Sequence, residues 1–229
     1  MRISLPDCDI DIDGSWAQEL LLVGGGRAPQ SEWLKSVAVG REVWCIDHGI
    51  DACQTADIIP ARLIGDKDSA TNDAWTWAEQ SGTAVSLFPP EKDFTDTQLA
   101  LKMVKEKQSP FVILSGAFGG RFDHLFSTVF SFAHAEINGL ISDEQELLLP
   151  LFAPTKVRLC FSKRPKAISL LPITEKCRGI SINGVKWPLN DAEISSSLLY
   201  SVSNELKKDA DTISVSASEG ILGIYAYWE

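Results

Sequence analysis

Five short, continuous apolar runs punctuate the first part of the chain, at residues 20–23, 43–46, 62–64, 84–88 and 111–114. Each gives way at once to a loop rich in glycine and aspartate. Uninterrupted apolar segments of this length suit strands covered on both faces, as in a parallel sheet. Between the fourth and fifth runs, TDTQLALKMVKEK reads as a helix: Thr95 and Gln98 make a capping box, and Leu99 and Met103 belong to an apolar stripe. Ser109-Pro110 stops it. Strand, helix, strand in that order is a parallel crossover unit.

After roughly Gly139 the pattern changes. Residues 156–162, 166–173, 211–218 and 221–228 are β-rich, separated by turn signals such as Asn183-Gly184 and residues 188–190. No long amphipathic helix is evident there, which favours an antiparallel sandwich or roll. The expected fold is therefore α/β: an N-terminal Rossmann-like three-layer domain with a mostly parallel sheet over residues 1–140, then a smaller all-β sandwich over residues 141–229.

Charge narrows the partners. The 229 residues carry 21 basic against 31 acidic side chains, a net charge of −10, which repels nucleic acid and anionic lipid. No apolar run approaches the ~20 residues that span a bilayer, and the acidic N-terminus lacks the pattern of a secretion signal. Five cysteines (Cys8, Cys45, Cys53, Cys160 and Cys177) form an odd set without a C-x-x-C pair. They read as free thiols in a reducing cytoplasm. No nucleic-acid or membrane partner is expected. The chain also lacks G-x-x-x-x-G-K-[ST], the H-R-D and D-F-G pair, and G-x-S-x-G, and residues 24–26 do not make G-x-G-x-x-G.

The unusual residues gather where the expected strands end: GGGR after the first, DHG after the second, GDKDS after the third, PPEKDFTD after the fourth and SGAFGGRFDH after the fifth. Ligands of open parallel sheets bind just outside these carboxyl ends. Asp66 and Asp68 are either turn residues or alternate carboxylates facing one hard cation such as Mg²⁺, which prefers oxygen ligands. Asp93 and Asp96 flank a helix start, where the helix dipole favours acids and free N–H groups favour anions. Lys92 is a solvated lysine or a phosphate contact. Gly116, Gly119 and Gly120 allow close backbone approach; Arg121 can fork onto phosphate, and Asp123 can accept from a ribose or orient Arg121. His124, opening a helix, reads more readily as structural than as a base. His48 and His134 are not spaced as zinc ligands.

In this order the motifs resemble the thiamine pyrophosphokinase family, whose pattern runs G-G, D-G-G, G-D-F-D-S, D-K-D-x-T-D and G-x-x-G-G-R-x-D-H. They stand here as residues 24–26, Asp47-His48-Gly49, GDKDS, EKDFTD and GAFGGRFDH; GVKWPLND and SVSNE are similar to the G-x-K-[YW] and S-N stretches of the family's β-rich domain. The sequence departs from the pattern at His48, Lys67 and Glu91. The resemblance implies transfer of pyrophosphate from ATP to the alcohol of thiamine. Asp66, Asp68 and Asp96 would be catalytic and, with Asp93, hold Mg²⁺. Gly25, Lys92, Thr95, Gly120, Arg121, Asp123 and His124 would lie on the nucleotide side. Asp47, Trp187, Ser203 and Asn204 would face thiamine, with Trp187 stacking on its rings; ordinary sandwich packing is the alternative for this tryptophan. A homodimer with the active site near its interface follows from the resemblance alone. His48 and Lys67 keep open another alcohol, such as a pterin, and a nucleotide- or thiamine-binding sensor without catalysis remains a rival.

Overall fold

The computed structural model describes residues 1–66, 71–89, 93–107 and 110–229. The chain divides into two compact units, Trp16–Asp143 and a second composed of Met1–Ser15 with Glu144–Glu229. The first fifteen residues, expected with the α/β half, thus belong to the β-rich unit. They form strands β1 (Arg2–Ser4) and β2 (Cys8–Ile12). The reason is local: Cys8-Asp9-Ile10-Asp11-Ile12 alternates apolar and acidic side chains, and burying Cys8 and Ile10 fixes one face of a strand.

The Trp16–Asp143 unit runs β3 (Glu19–Val23), α1 (Ser31–Ala38), β4 (Glu42–Ile46), α2 (Gly49–Thr55), β5 (Arg62–Gly65), α3 (Asn72–Gln80), β6 (Ala84–Leu87), α4 (Asp96–Lys105), β7 (Phe111–Ser115), α5 (Phe122–His134) and β8 (Gly139–Ser142). Its strands lie in the order β8-β7-β3-β4-β5-β6, and every neighbouring pair is parallel. The five expected strands stand within a residue of β3 to β7. The central runs are buried along their whole length, Leu20, Leu21 and Leu22 at 0% exposure, and each such leucine contributes about 1.5–3 kcal/mol at most. β6 differs from the expectation of double-sided cover. It is the edge strand, with Leu87 exposed and no position fully buried. β8 was missed because its four residues coincide with the change of pattern at Gly139.

Helix α4 forms as its sequence requires. The Thr95 side chain accepts from the Gln98 backbone N–H while the Gln98 side chain accepts from the Thr95 N–H. The buried stripe is Ala100, Leu101 and Val104, one residue on from the expected Leu99 and Met103, which are half-buried. Helix α2 packs on both α1 and α3, and α4 packs on α5.

The β-rich unit adds β9 (Glu146–Phe152), β10 (Thr155–Phe161), β11 (Ala167–Pro172), β12 (Lys176–Asn183), β13 (Leu189–Ser195), β14 (Thr212–Ala217) and β15 (Ile221–Tyr227). One sheet has the order β1-β2-β10-β14-β12-β13, and β11-β15-β9 form a second antiparallel set. The four segments expected to be strands are β10, β11, β14 and β15. Among the described residues antiparallel pairs outnumber parallel ones, so the protein is a mixed α/β protein with large sheets, and the parallel pairs lie in the Trp16–Asp143 unit.

Candidate active site

Strand order fixes where a ligand can enter. From β3 the chain builds outward through β4, β5 and β6, then returns to place β7 on the other side of β3. The loops after β3 and β7 therefore diverge at a topological switch point, where parallel sheets open a crevice. Here the two loops are tied together. Gly24 N donates to Ser115 O at 2.7 Å, Gly26 N to Gly116 O at 2.6 Å, and Arg27 N to Phe118 O at 2.6 Å. Glycine is required at Gly116: its φ is +67°, and a Cβ there would fall 2.3 Å from Gly24 O.

The loop after β4 closes a second side. Asp47 adopts φ +50°, uncommon for a residue other than glycine. Its backbone N–H donates to Ile64 O at 3.0 Å. A Cβ on Gly65 would lie 2.1 Å from Asp47 Oδ1, so the Asp47 carboxylate rests against the end of β5, immediately before Asp66. His48 Nδ1 stands 3.3 Å from Asp51 Oδ2, and Thr71 Oγ1 donates to the other oxygen of Asp51 at 2.6 Å.

These loops, with α4 and α5, enclose a cavity of about 340 Å³. Its walls bring together five expected site residues, Gly25, Asp47, Gly120, Arg121 and His124, along with His48. Asp123 stands beside it and binds Arg121 in a fork, Nε to Oδ1 at 3.1 Å and Nη2 to Oδ2 at 2.6 Å. The hydrogen bond from Arg121 holds the Asp123 carboxyl below the usual range, and Asp123 raises Arg121 in return. Both are exposed, so the pair orients the guanidinium without adding much stability. Thr95 caps α4, Asp96 opens it, Asp93 is exposed just before it, and Asp66 follows β5. Asp68 and Lys92, and with them Lys67 and Glu91, lie outside the described residues.

The expected metal donors are all carboxylates, which suits a hard cation such as Mg²⁺. Among the described residues no three acidic, histidine or cysteine side chains gather at one point; of the four expected donors, these residues include Asp66, Asp93 and Asp96.

In the β-rich unit, Trp187 sits between β12 and β13 with 54% of its surface exposed. Asn204 is buried and clasps its backbone: Trp187 N donates to Asn204 Oδ1 at 3.2 Å, and Asn204 Nδ2 donates to Trp187 O at 2.8 Å. Glu205 N adds a third bond to Asn204 Oδ1 at 2.9 Å. Ser203 takes φ +57°, and its N–H donates to Ser169 Oγ at 3.0 Å. Lys186 Nζ lies 4.4 Å from the Trp187 ring centroid. The tryptophan is thus presented to solvent on a fixed backbone rather than packed in the core.

Three residues escaped the sequence reading. Thr97 and Thr128 line the cavity. Thr128 was findable, since it stands four residues after His124 and shares its helix face. Arg27 is the third: its Nε and Nη2 donate to Asp143 Oδ2 at 2.9 and 2.7 Å. No sequence signal joins residues so far apart.

Comparison with known proteins agrees across both units. Residues 38–140 match the thiamin pyrophosphokinase catalytic domain, and residues 156–222 match the thiamin pyrophosphokinase vitamin B1 binding domain. A thiamine pyrophosphokinase of Bacillus subtilis is 30% identical over 180 residues, 77% of this chain and 83% of that protein. Thiamine pyrophosphokinase 2 of Arabidopsis thaliana is 26% identical over 163 residues, 67% of this chain and 61% of that protein. The crystal structure of the Bacillus subtilis thiamine pyrophosphokinase superposes with a TM-score of 0.81 at 25% identity, covering 93% of this chain and 100% of that one. That of the Geobacillus thermodenitrificans thiamin pyrophosphokinase gives 0.78 at 28% identity, covering 92% and 97%. The order of the sequence motifs, the glycine-bound cavity at the switch point and these matches converge: the chain belongs to the thiamine pyrophosphokinase family.

Proposed function

We propose that this protein transfers the terminal pyrophosphoryl group of ATP to the hydroxyl of thiamine, giving thiamine diphosphate and AMP. The observation that carries this reading is the cavity at the β3/β7 switch point. It has a glycine-lined wall, a forked Arg121 and an acidic wall at Asp47, on a chain whose two parts match the two domains of the family.

In this reading the Trp16–Asp143 unit is a Rossmann-like three-layer domain that takes the nucleotide. The β-rich unit is a sandwich that takes thiamine. The thiamine oxygen attacks the β-phosphorus in line as the bond from that phosphorus to the α-phosphate oxygen breaks; AMP leaves and the alcohol loses its proton. Charge neutralisation and positioning dominate such transfers. Arg121, oriented by Asp123, meets phosphate oxygens. Gly25 and Gly120 let the backbone approach them, with Lys92, Thr95 and His124 on the same side. Asp66, Asp68, Asp93 and Asp96 would hold Mg²⁺, which supplies neutralisation of charge on the phosphate oxygens.

On the acceptor side, Asp47 faces the cationic thiazolium and Trp187 stacks on the rings. Ser203 contributes beside Trp187 in the β-rich unit, and the buried Asn204 acts through the Trp187 backbone it holds. A homodimer with its site near the interface would close over the exposed Trp187. Five free cysteines suit the cytoplasm, and no helix among the described residues is long and apolar enough to cross a membrane. The rival readings, another alcohol or a sensor, gain no support from the matched relatives.

A substrate panel tests the acceptor. With ATP and Mg²⁺ fixed, thiamine should exceed hydroxymethyl pterins and other primary alcohols in kcat/KM by at least ~100-fold. Preference for another alcohol would reject the thiamine assignment while keeping the phosphate chemistry.

A further inference from the structure

Arg27 has no part in the reading above, yet it is the charged residue of the glycine-rich loop after β3. Its Nε and Nη2 both donate to one oxygen of Asp143, whose side chain is fully buried, at 0% exposure against 27% for Arg27. The Arg27 backbone N–H donates to Phe118 O at 2.6 Å, its guanidinium lies 5.9 Å from the Phe118 ring centroid, and a Cβ on Gly119 would come within 2.9 Å of Arg27 Cβ. A single side chain therefore joins the loop after β3, the turn after β7 and the residue that follows β8. Those three strands are neighbours in the sheet.

The chemistry explains why such a tie is needed. Three consecutive glycines have more backbone freedom than any other tripeptide, and ordering them costs entropy that the glycines themselves cannot recover through side-chain contacts. A buried carboxylate is tolerated only when it is paired and hydrogen-bonded. Arg27 supplies such pairing to Asp143, and in doing so ties the glycine segment to the β7 turn.

We infer that Arg27 is a positioning residue: its ion pair with Asp143 holds residues 24–27 against the turn at residues 116–120, preforming the cavity for the phosphates of a nucleoside triphosphate. The inference rests on the nucleotide reading proposed above.

Three variants of the full chain test it. Arg27→Lys keeps the charge and loses the fork. Arg27→Met removes the ion pair and keeps the Asp143 carboxylate. The pair Arg27→Met with Asp143→Leu removes both charges, so no carboxylate stays buried without its arginine. ATP affinity is measured by calorimetry with Mg²⁺ and without thiamine, beside amide hydrogen exchange of residues 24–27, melting temperature, and KM for each substrate. The double variant is expected to melt close to wild type yet bind ATP at least about tenfold more weakly, because a displaced cradle loses affinity even in a folded protein. KM for thiamine stays near wild type, the amides of Gly26 and Arg27 exchange faster, and Arg27→Lys recovers part of the ATP affinity. A purely structural role predicts that affinity returns with stability. Wild-type ATP affinity in the double variant, or wild-type exchange at residues 24–27, overturns the inference. Should Arg27→Met fail to fold, the double and lysine variants carry the test. A wild-type protein that binds no ATP would remove the nucleotide reading and this inference together, whereas wild-type binding with equal binding by the variants removes only the inference.

Discussion

Replacing Gly116 by alanine should damage the protein more than replacing Gly40, although the two glycines share nearly the same backbone conformation. Gly40 has φ +73° with no heavy atom within 4 Å of an added Cβ; Gly116 has φ +67° with Gly24 O at 2.3 Å. Each alanine incurs the left-handed conformation, roughly 1–2 kcal/mol. Only Gly116→Ala also forces two backbones apart. The bonds it threatens are Gly24 N to Ser115 O and Gly26 N to Gly116 O, together about 1–3 kcal/mol. The predicted totals are then about 2–5 kcal/mol for Gly116→Ala and about 1–2 kcal/mol for Gly40→Ala. With a urea slope of about 2 kcal/mol/M, the difference separates the two midpoints by roughly 0.5–1.5 M. The assay is urea unfolding of both variants followed by the same spectroscopic probe, with ATP affinity measured alongside. Affinity should fall in Gly116→Ala and hold in Gly40→Ala, whose turn lies at the amino end of β4, away from the cavity. Equal midpoints together with equal affinities would refute the claim that the β3 and β7 loops are locked by their close approach.

Other outcomes follow from the same geometry. Thr95→Ala removes the side-chain half of the α4 capping box, the acceptor for the Gln98 N–H, and leaves the backbone half, and should cost about 1 kcal/mol in urea unfolding; no measurable change would mean the cap is redundant. Asn204→Ala breaks three hydrogen bonds in a buried site and should destabilise by about 2–4 kcal/mol, while Trp187→Ala should leave stability nearly unchanged and weaken thiamine binding with ATP binding intact. Equal weakening of both ligands would assign Trp187 to packing. Asp68→Asn should lower turnover at least ~100-fold, about 2.7 kcal/mol in the barrier, in a folded protein; a loss under tenfold would remove it from the metal site. Burial pushes the thiols of Cys8 and Cys45 above their ordinary value of 9.0. Thiols raised in the folded state stabilise it fully below that ordinary value, and the contribution is lost as pH climbs toward the folded value. Stability should therefore decline above about pH 9, and in the native protein at neutral pH a thiol reagent should modify the half-exposed Cys160 well before the four buried cysteines. Rapid reaction of all five would contradict that packing.

Much of the α/β unit could be read from the chain because its information is local. A run such as Leu20-Leu21-Leu22-Val23 has one stable disposition, between two covering layers, and the glycine or acid that follows it must sit at a strand end. Thr95 and Gln98 announced α4 because a capping box is satisfied within four residues. What failed was non-local or quantitative. The strand character of residues 8–12 lay in their alternation, but nothing in those residues says that β2 pairs with β10, almost 150 residues later. β6 reads like an inner strand and differs in having, among the described residues, no strand on one side, which its composition does not encode. The same limit applies at the site. Gly25, Gly120, Arg121 and His124 line one cavity because each stands in a loop at a strand end or in the helix that follows, whereas the Arg27–Asp143 pair exists only once β3 and β8 are brought to either side of β7. Asn204 was expected on the substrate side; that its amide clasps the Trp187 backbone depends on a loop path that no motif specifies.

The most direct test of the account is AMP release from ATP and Mg²⁺, with and without thiamine, with mass analysis of the organic product. The account predicts AMP formation that depends on thiamine and matches thiamine diphosphate one for one. AMP formed at the same rate without thiamine, or thiamine monophosphate with ADP in its place, would contradict it.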